Sequence, residues 1–96
     1  MYVVIYEPMA EEDLIAILTY YAEQGGTVLA ETIFARIKTH IDRLEIFPYR
    51  TVESDAIPDT RELIIEKLPY KAYIHVVEAS KTVYVLRILH MARKVP

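Results

Sequence analysis

There is no cysteine in these 96 residues, which excludes disulfides and thiolate chemistry. Glycine occurs only twice, as the pair Gly25-Gly26, and no low-complexity stretch interrupts the chain, so an ordered fold is expected throughout. No apolar run approaches the ~20 residues that cross a bilayer, and nothing resembles a signal peptide, so a cytoplasmic protein is the simplest expectation. The most telling scarcity is of positive charge. Met1 to Glu31 hold six acidic residues and no Lys or Arg, whereas Lys67 to Pro96 hold six basic residues and one acid. The formal net charge of −3 argues against bulk electrostatic capture of nucleic acid, and any anionic ligand is expected on the basic last third.

What is present fits one domain over residues 1–96, with 53% hydrophobic and 26% charged residues. Tyr2 to Tyr6 is an aromatic and β-branched run stopped by Glu7-Pro8, which predicts a short buried strand. Pro8 suits a helix start, Glu11, Glu12 and Asp13 favour the positive end of its dipole, and Leu14, Ile17, Leu18 and Tyr21 follow at helical spacing. Gly25-Gly26 ends that helix. A second stripe, Ala30, Ile33, Phe34, Ile37, Ile41 and Leu44, predicts a helix from about Thr27 to Phe47, closed by Pro48 and paired with the first as an antiparallel hairpin.

Tyr49 to Asp59 has no clear period and reads as a loop. Beyond it the period is two, predicting strands at Arg61–Leu68, Tyr70–Glu78 and Thr82–His90, with a tight turn at Ala79-Ser80-Lys81. The expected fold is α+β, ordered β-α-α-β-β-β, an antiparallel-rich small sheet covered on one face by a two-helix hairpin. Pairing Glu78 with Thr82 puts Tyr70, Ala72, Ile74 and Val76 on the helix side with Tyr84, Leu86 and Ile88. The other side then collects Lys71, Tyr73, His75 and Arg87, with Val77, Val83, Val85 and Leu89 between them, and His90 and Arg93 follow where the chain leaves the sheet.

The chemistry is sparse. His40, His75 and His90 lie far apart without metal-ligand spacing, so no metal site and no cofactor are expected, and His40 reads as a solvated helix residue. Ser54 and Ser80 lack an evident base, and the run Glu11-Glu12-Asp13 reads as a helix start. The one constellation with chemical scope is Lys71, His75, Arg87, His90 and Arg93: cations for phosphate, His as a titratable acid or base, and Tyr73 for stacking on a base. Its bland counterpart has Lys71 and Arg87 as solvent-side strand residues, Arg87 paired to Glu62 or Glu66. Eight Tyr, including Tyr20-Tyr21, point to an interface on the helices or to rings that roof the core with hydroxyls outward.

Several stretches carry a resemblance over the whole chain: Ala10, Asp13, Leu14, Ile17 and Tyr20; Ile37, Ile41, Leu44, Phe47 and Pro48; Arg61-Glu62-Leu63; Pro69-Tyr70-Lys71 with Tyr73; and Val85-Leu86-Arg87-Ile88-Leu89-His90 with Arg93. In this order and spacing they resemble the RelE/ParE superfamily of type II toxin-antitoxin toxins, the ParE-like, plasmid-stabilisation branch most closely. That resemblance implies a growth-inhibiting toxin neutralised by a cognate antitoxin, with assembly through that antitoxin. It implies antitoxin contacts at Leu18, Tyr21, Ile33 and Ile37 and target contacts at Lys71, Tyr73, His75, Arg87, His90 and Arg93. ParE-like members inhibit DNA gyrase and are not enzymes acting on RNA, whereas RelE-like members cut messenger RNA in the ribosome. The second reading would rest on Lys71, Arg87, His90 and Arg93. Lys71 stands where many RNA-cleaving members have Arg, and no Tyr follows Arg93, so the gyrase reading is favoured. A third reading is an inactive interaction module of the same fold.

Overall fold

A computed structural model describes residues 1–92; Arg93 lies outside the described residues. The elements run β1 (Val3–Tyr6), α1 (Pro8–Asp42), a 3-10 turn at Arg43–Glu45, β2 (Val52–Glu53), β3 (Arg61–Ile65), β4 (Tyr70–Val77), a 3-10 turn at Glu78–Ser80 and β5 (Thr82–His90).

The expected two-helix hairpin is instead one helical element of 35 residues, bent at the two glycines. Gly26 has φ 80° and ψ −177°, a region open essentially to glycine alone, and Gly25 beside it is also non-helical. A straight helix of that length would span about 52 Å. The molecule's longest dimension is 41 Å, so the break folds the chain back. Both arms therefore reach one core, Ala10 and Ile17 from the first and Ile33, Ile37 and Ile41 from the second. The second arm stops at Asp42, short of the expected Phe47, and its last turn tightens into the 3-10 turn that buries Leu44.

The sheet has five strands in the order β1-β5-β4-β3-β2. It is mixed, which corrects the antiparallel-rich expectation: β1 runs parallel to β5, and the other neighbours are antiparallel. β2 arises inside the supposed loop, where Val52 pairs with Glu62 and Glu53 with Arg61. The Ser54 backbone N–H closes that hairpin by donating to Thr60 O at 2.8 Å.

The last hairpin follows the expected register from Tyr70↔His90 to Tyr73↔Arg87 and then slips. Leu86 has no partner, Ile74 faces Val85, and every later residue of the pair is displaced by one. A one-residue bulge exchanges the faces of the strand. Val83 and Val85, expected on the outer side, are fully buried in the core with Ile74, while Tyr84 and Leu86 are only half-buried. Burying each such aliphatic side chain contributes roughly 1.5–3 kcal/mol, which outweighs the local cost of the bulge.

Candidate functional site

On β4, Lys71, Tyr73 and His75 alternate with the core residues, and Arg87 faces Tyr73 across the hairpin, so these four share the sheet face opposite the core. Lys71 and Arg87 do not point to opposite faces. Neither cation is free, however. Lys71 Nζ donates to Glu62 Oε1 at 3.0 Å, and Glu62 Oε2 accepts from Ser54 Oγ at 2.7 Å. Arg87 donates through Nε and Nη2 to the two oxygens of Asp13 at 2.7 and 3.0 Å. The partners weighed from sequence for Arg87, Glu62 and Glu66, are thus replaced by Asp13. The same Asp13 oxygen accepts the Ile88 backbone N–H at 2.9 Å. β1 ends before it can pair with this part of β5, so the carboxylate stands in for the missing strand neighbour.

These contacts limit the chemistry. The Glu62 carboxylate, with the Tyr73 hydroxyl, raises the Lys71 ammonium above its ordinary value, so Lys71 stays charged at neutral pH and does not serve as a base. Tyr73 is 1% exposed, with Lys71 Nζ 5.3 Å from its ring centroid, and offers no face for a base to stack on. His75 Nδ1 donates to Asp59 O at 2.9 Å, at the far end of β4 from Lys71. His90 pairs with Tyr70, which places it on the helix side of the sheet, away from Lys71 and Arg87. The four residues of the ribonuclease reading are therefore not gathered: two are ion-paired on one face, His90 is on the other, and Arg93 falls outside the described residues.

His90 belongs to a different set. Its ring meets Tyr70 edge-on at 5.5 Å, Tyr70 meets Tyr21 at 6.4 Å, and Tyr21 meets Tyr20 at 5.1 Å. Burial, helped by Tyr21, pushes the Tyr70 phenol well above its ordinary value, so its proton is held. Tyr20 and His90 are exposed at the two ends of this row.

The helix residues assigned to an antitoxin separate into two groups. Ile37 is fully buried and Ile33 is 7% exposed, so neither presents a side chain to a partner. Leu18 and Tyr21 are partly exposed and pack against the core. Exposed apolar surface on α1 includes Ile15 and Phe34, which with Leu14 and Tyr6 line a groove of about 300 Å³ with Glu11 and Lys38 on its walls.

Three groups escaped the sequence reading. His40 is 9% exposed, which corrects its assignment as a solvated residue. Glu78 accepts from Tyr2 and Tyr49 and pairs with Lys81, and these partners hold its carboxyl down at about 2. Asp13, read as part of a helix start and of a family-like stretch, engages Arg87 and the Ile88 backbone. The pairing of β3 with β4 could have shown Glu62 beside Lys71, but the contact of Asp13 with Arg87 across 74 residues leaves no periodic trace. Among the described residues, no group of three His, Asp or Glu could hold a metal ion, and no helix is long and apolar enough to cross a membrane.

Residues 4–95 match the ParE toxin of the type II toxin-antitoxin system parDE. A structure of the chromosomal ParDE toxin-antitoxin system from P. aeruginosa matches with a TM-score of 0.82 at 25% identity, covering 94% of this chain and 96% of that one. The RelBE2 toxin-antitoxin complex from Mycobacterium tuberculosis follows at 0.67 and 20% identity, covering 93% of this chain and 96% of its own. The intact E. coli RelBE complex shares the fold at 0.58 and 14% identity, over 100% of this chain and 99% of its own. No curated protein sequence matches significantly. With the family match running through every strand and both helical arms, the chain belongs to the ParE toxin family of type II toxin-antitoxin systems.

Proposed function

We propose that this chain inhibits DNA gyrase, acts by binding and not as a nuclease, and is neutralised by a cognate antitoxin. The observation that carries the reading is the engagement of its sheet cations: Lys71 is tied to Glu62 and Arg87 to Asp13, so neither of these two is left unneutralised for a scissile phosphate on the sheet. The likeness to the ParDE structure over 94% of the chain supports the same assignment. His90 and Tyr20, exposed on the aromatic row, are the target contacts, and Lys71, Tyr73 and Arg87 hold the sheet that carries them. His75 and Arg93 remain target contacts on the strength of the family resemblance.

The antitoxin lies along α1 in the groove of Ile15 and Phe34, flanked by Leu18 and Tyr21. Support comes from the exposed apolar surface there and from the solved relatives, which include toxin-antitoxin complexes. The surrounding arm carries acids and no Lys or Arg before Arg36, so the bound segment is expected to combine apolar anchors with basic residues. Induction without antitoxin tests the target. Loss of negative supercoiling in extracted plasmid is expected, with no new transcript 5′ ends; codon-phased cuts with normal supercoiling would transfer the chain to the ribonuclease reading.

A further inference from the structure

Among the described residues, the cations of the sheet strands are all paired. Among the described residues Lys38, Arg61, Lys71, Lys81 and Arg87 each meet a carboxylate. Arg36, Arg43, Arg50 and Lys67 have no such pairing, and the three arginines line the grooves beside His40 where α1 ends. His40, Arg43 and Arg50 line a groove of about 460 Å³ between the helix end and β2–β3, and His40 with Arg36 and Arg43 lines a second on the other side.

His40 gives this groove its polarity. Nδ1 lies 2.8 Å from the Arg36 carbonyl, which can only accept, so Nδ1 carries a proton and the neutral ring has a lone pair at Nε2. That Nε2 is the buried side-chain polar atom without a partner among the described residues. Buried acceptors are seldom left unmet, and the His40 ring that carries this one, itself 9% exposed, lines the groove. The other wall is apolar, formed by Leu44, Phe47 and Ile64, with the Arg50 guanidinium 3.9 Å from the Phe47 ring centroid.

We propose that this groove binds a small amphipathic carboxylate, one with an N–H or O–H donor between its anion and an apolar body. The donor meets His40 Nε2, the carboxylate takes the forked hydrogen bonds of Arg43 and Arg50, and the apolar body packs on Phe47 and Ile64. Two acids on the same lining narrow the choice. Glu62 is committed to Lys71 and Ser54, but Glu66 is unpaired among the described residues and repels a second negative group, which favours a monocarboxylate over a polyphosphate. Helix-dipole complementarity accounts for Arg43 at the C-cap of α1. It leaves Arg50, beyond the helix, and the unmet Nε2 without a role.

The test is titration of the ¹⁵N-labelled full chain with N-acetyl-L-phenylalanine, whose amide, carboxylate and ring match the three requirements. Saturable shifts confined to His40, Arg43, Phe47, Arg50 and Ile64 are expected, together with a change at the His40 Nε2 nitrogen. Arg43→Gln and Arg50→Gln, both at exposed positions that leave the fold intact, should each weaken binding about tenfold. N-acetyl-L-phenylalaninamide, which lacks the anion, should not bind. Shifts that fail to saturate, that scatter over the surface, that are equal with the amide or that persist in both Arg variants would each overturn the site.

Discussion

Asp13 and Arg87, 74 residues apart, lock the first turns of α1 to the second half of β5, and the Asp13 carboxylate also accepts the Ile88 N–H that β1 is too short to reach. The pair is mostly shielded, with side-chain exposures of 22% for Arg87 and 13% for Asp13, so truncating the acid strands both a guanidinium and a backbone donor. Asp13→Ala should cost about 2–4 kcal/mol in urea unfolding. Glu12→Ala, one residue away and exposed, should change stability by no more than about 0.5 kcal/mol.

Target recognition should separate the two sheet features. His90→Ala removes an exposed ring from the aromatic row and should weaken gyrase inhibition about tenfold, the cost of one interface anchor. Lys71→Gln, on the opposite face, should change inhibition by less than about threefold, since Gln still bonds Glu62. Dose-response curves for the two variants in a supercoiling assay check both statements.

Antitoxin affinity should be sensitive at Ile15, whose side chain is 65% exposed on the groove wall. Ile15→Asp places a charge on a surface meant for apolar contact, and a loss of at least about 2 kcal/mol in antitoxin binding is expected. The thermal unfolding midpoint of the free chain should stay within a few degrees, because that side chain contributes little to the core. Calorimetric titration with the antitoxin reads the first quantity and differential scanning calorimetry the second.

The pH profile of stability should have two limbs. Lys81, Tyr49 and Tyr2 lower Glu78 from 4.5 to about 2, so the folded state gains stability above pH 4.5 and loses it as pH falls towards 2. Burial raises Tyr6 from 10.0 to about 12, with Asp42 adding to it. Its contribution is complete below pH 10 and is lost as pH rises towards 12. Urea midpoints measured across pH should be flat between these limits, with Glu78→Gln shrinking the acid limb and Tyr6→Phe the alkaline one.

The glycine pair gives opposite expectations at neighbouring positions. A Cβ at Gly26 would meet nothing within 4 Å, yet φ 80° with ψ −177° is strained for any side chain, so Gly26→Ala should cost about 1–3 kcal/mol. At Gly25 φ is negative, and the new Cβ would lie 2.6 Å from Leu29 Cδ2, which can swing aside, and 3.1 Å from Leu29 Cβ, which needs a shift of a few tenths of an ångström. Gly25→Ala should therefore be the milder of the two by urea unfolding.

Periodicity and punctuation made the elements legible: Glu7-Pro8 at the end of β1, the glycine break within α1, and the alternation of β4 and β5 were all readable as local chemistry. The bulge at Leu86 was not. No Gly or Pro marks it, and it is favoured only because Val83 and Val85 fill the core better than Tyr84 and Leu86, a fact of tertiary packing. The same holds for the candidate site. Register placed Lys71, Tyr73 and Arg87 on one face, but the carboxylates that engage the two cations come from β3 and α1, and sequence spacing carries no signal of such meetings. Ile33 and Ile37 were assigned to a partner because an apolar stripe looks the same whether it faces a core or an interface. Ile33 and Ile37 are buried, whereas Ile15 and Phe34 are exposed.

The most direct measurement is supercoiling of relaxed plasmid by purified DNA gyrase with increasing amounts of this chain, with and without its antitoxin. The account predicts dose-dependent loss of supercoiling, relieved when antitoxin is added and retained in Lys71→Gln. Full supercoiling at saturating chain would contradict it.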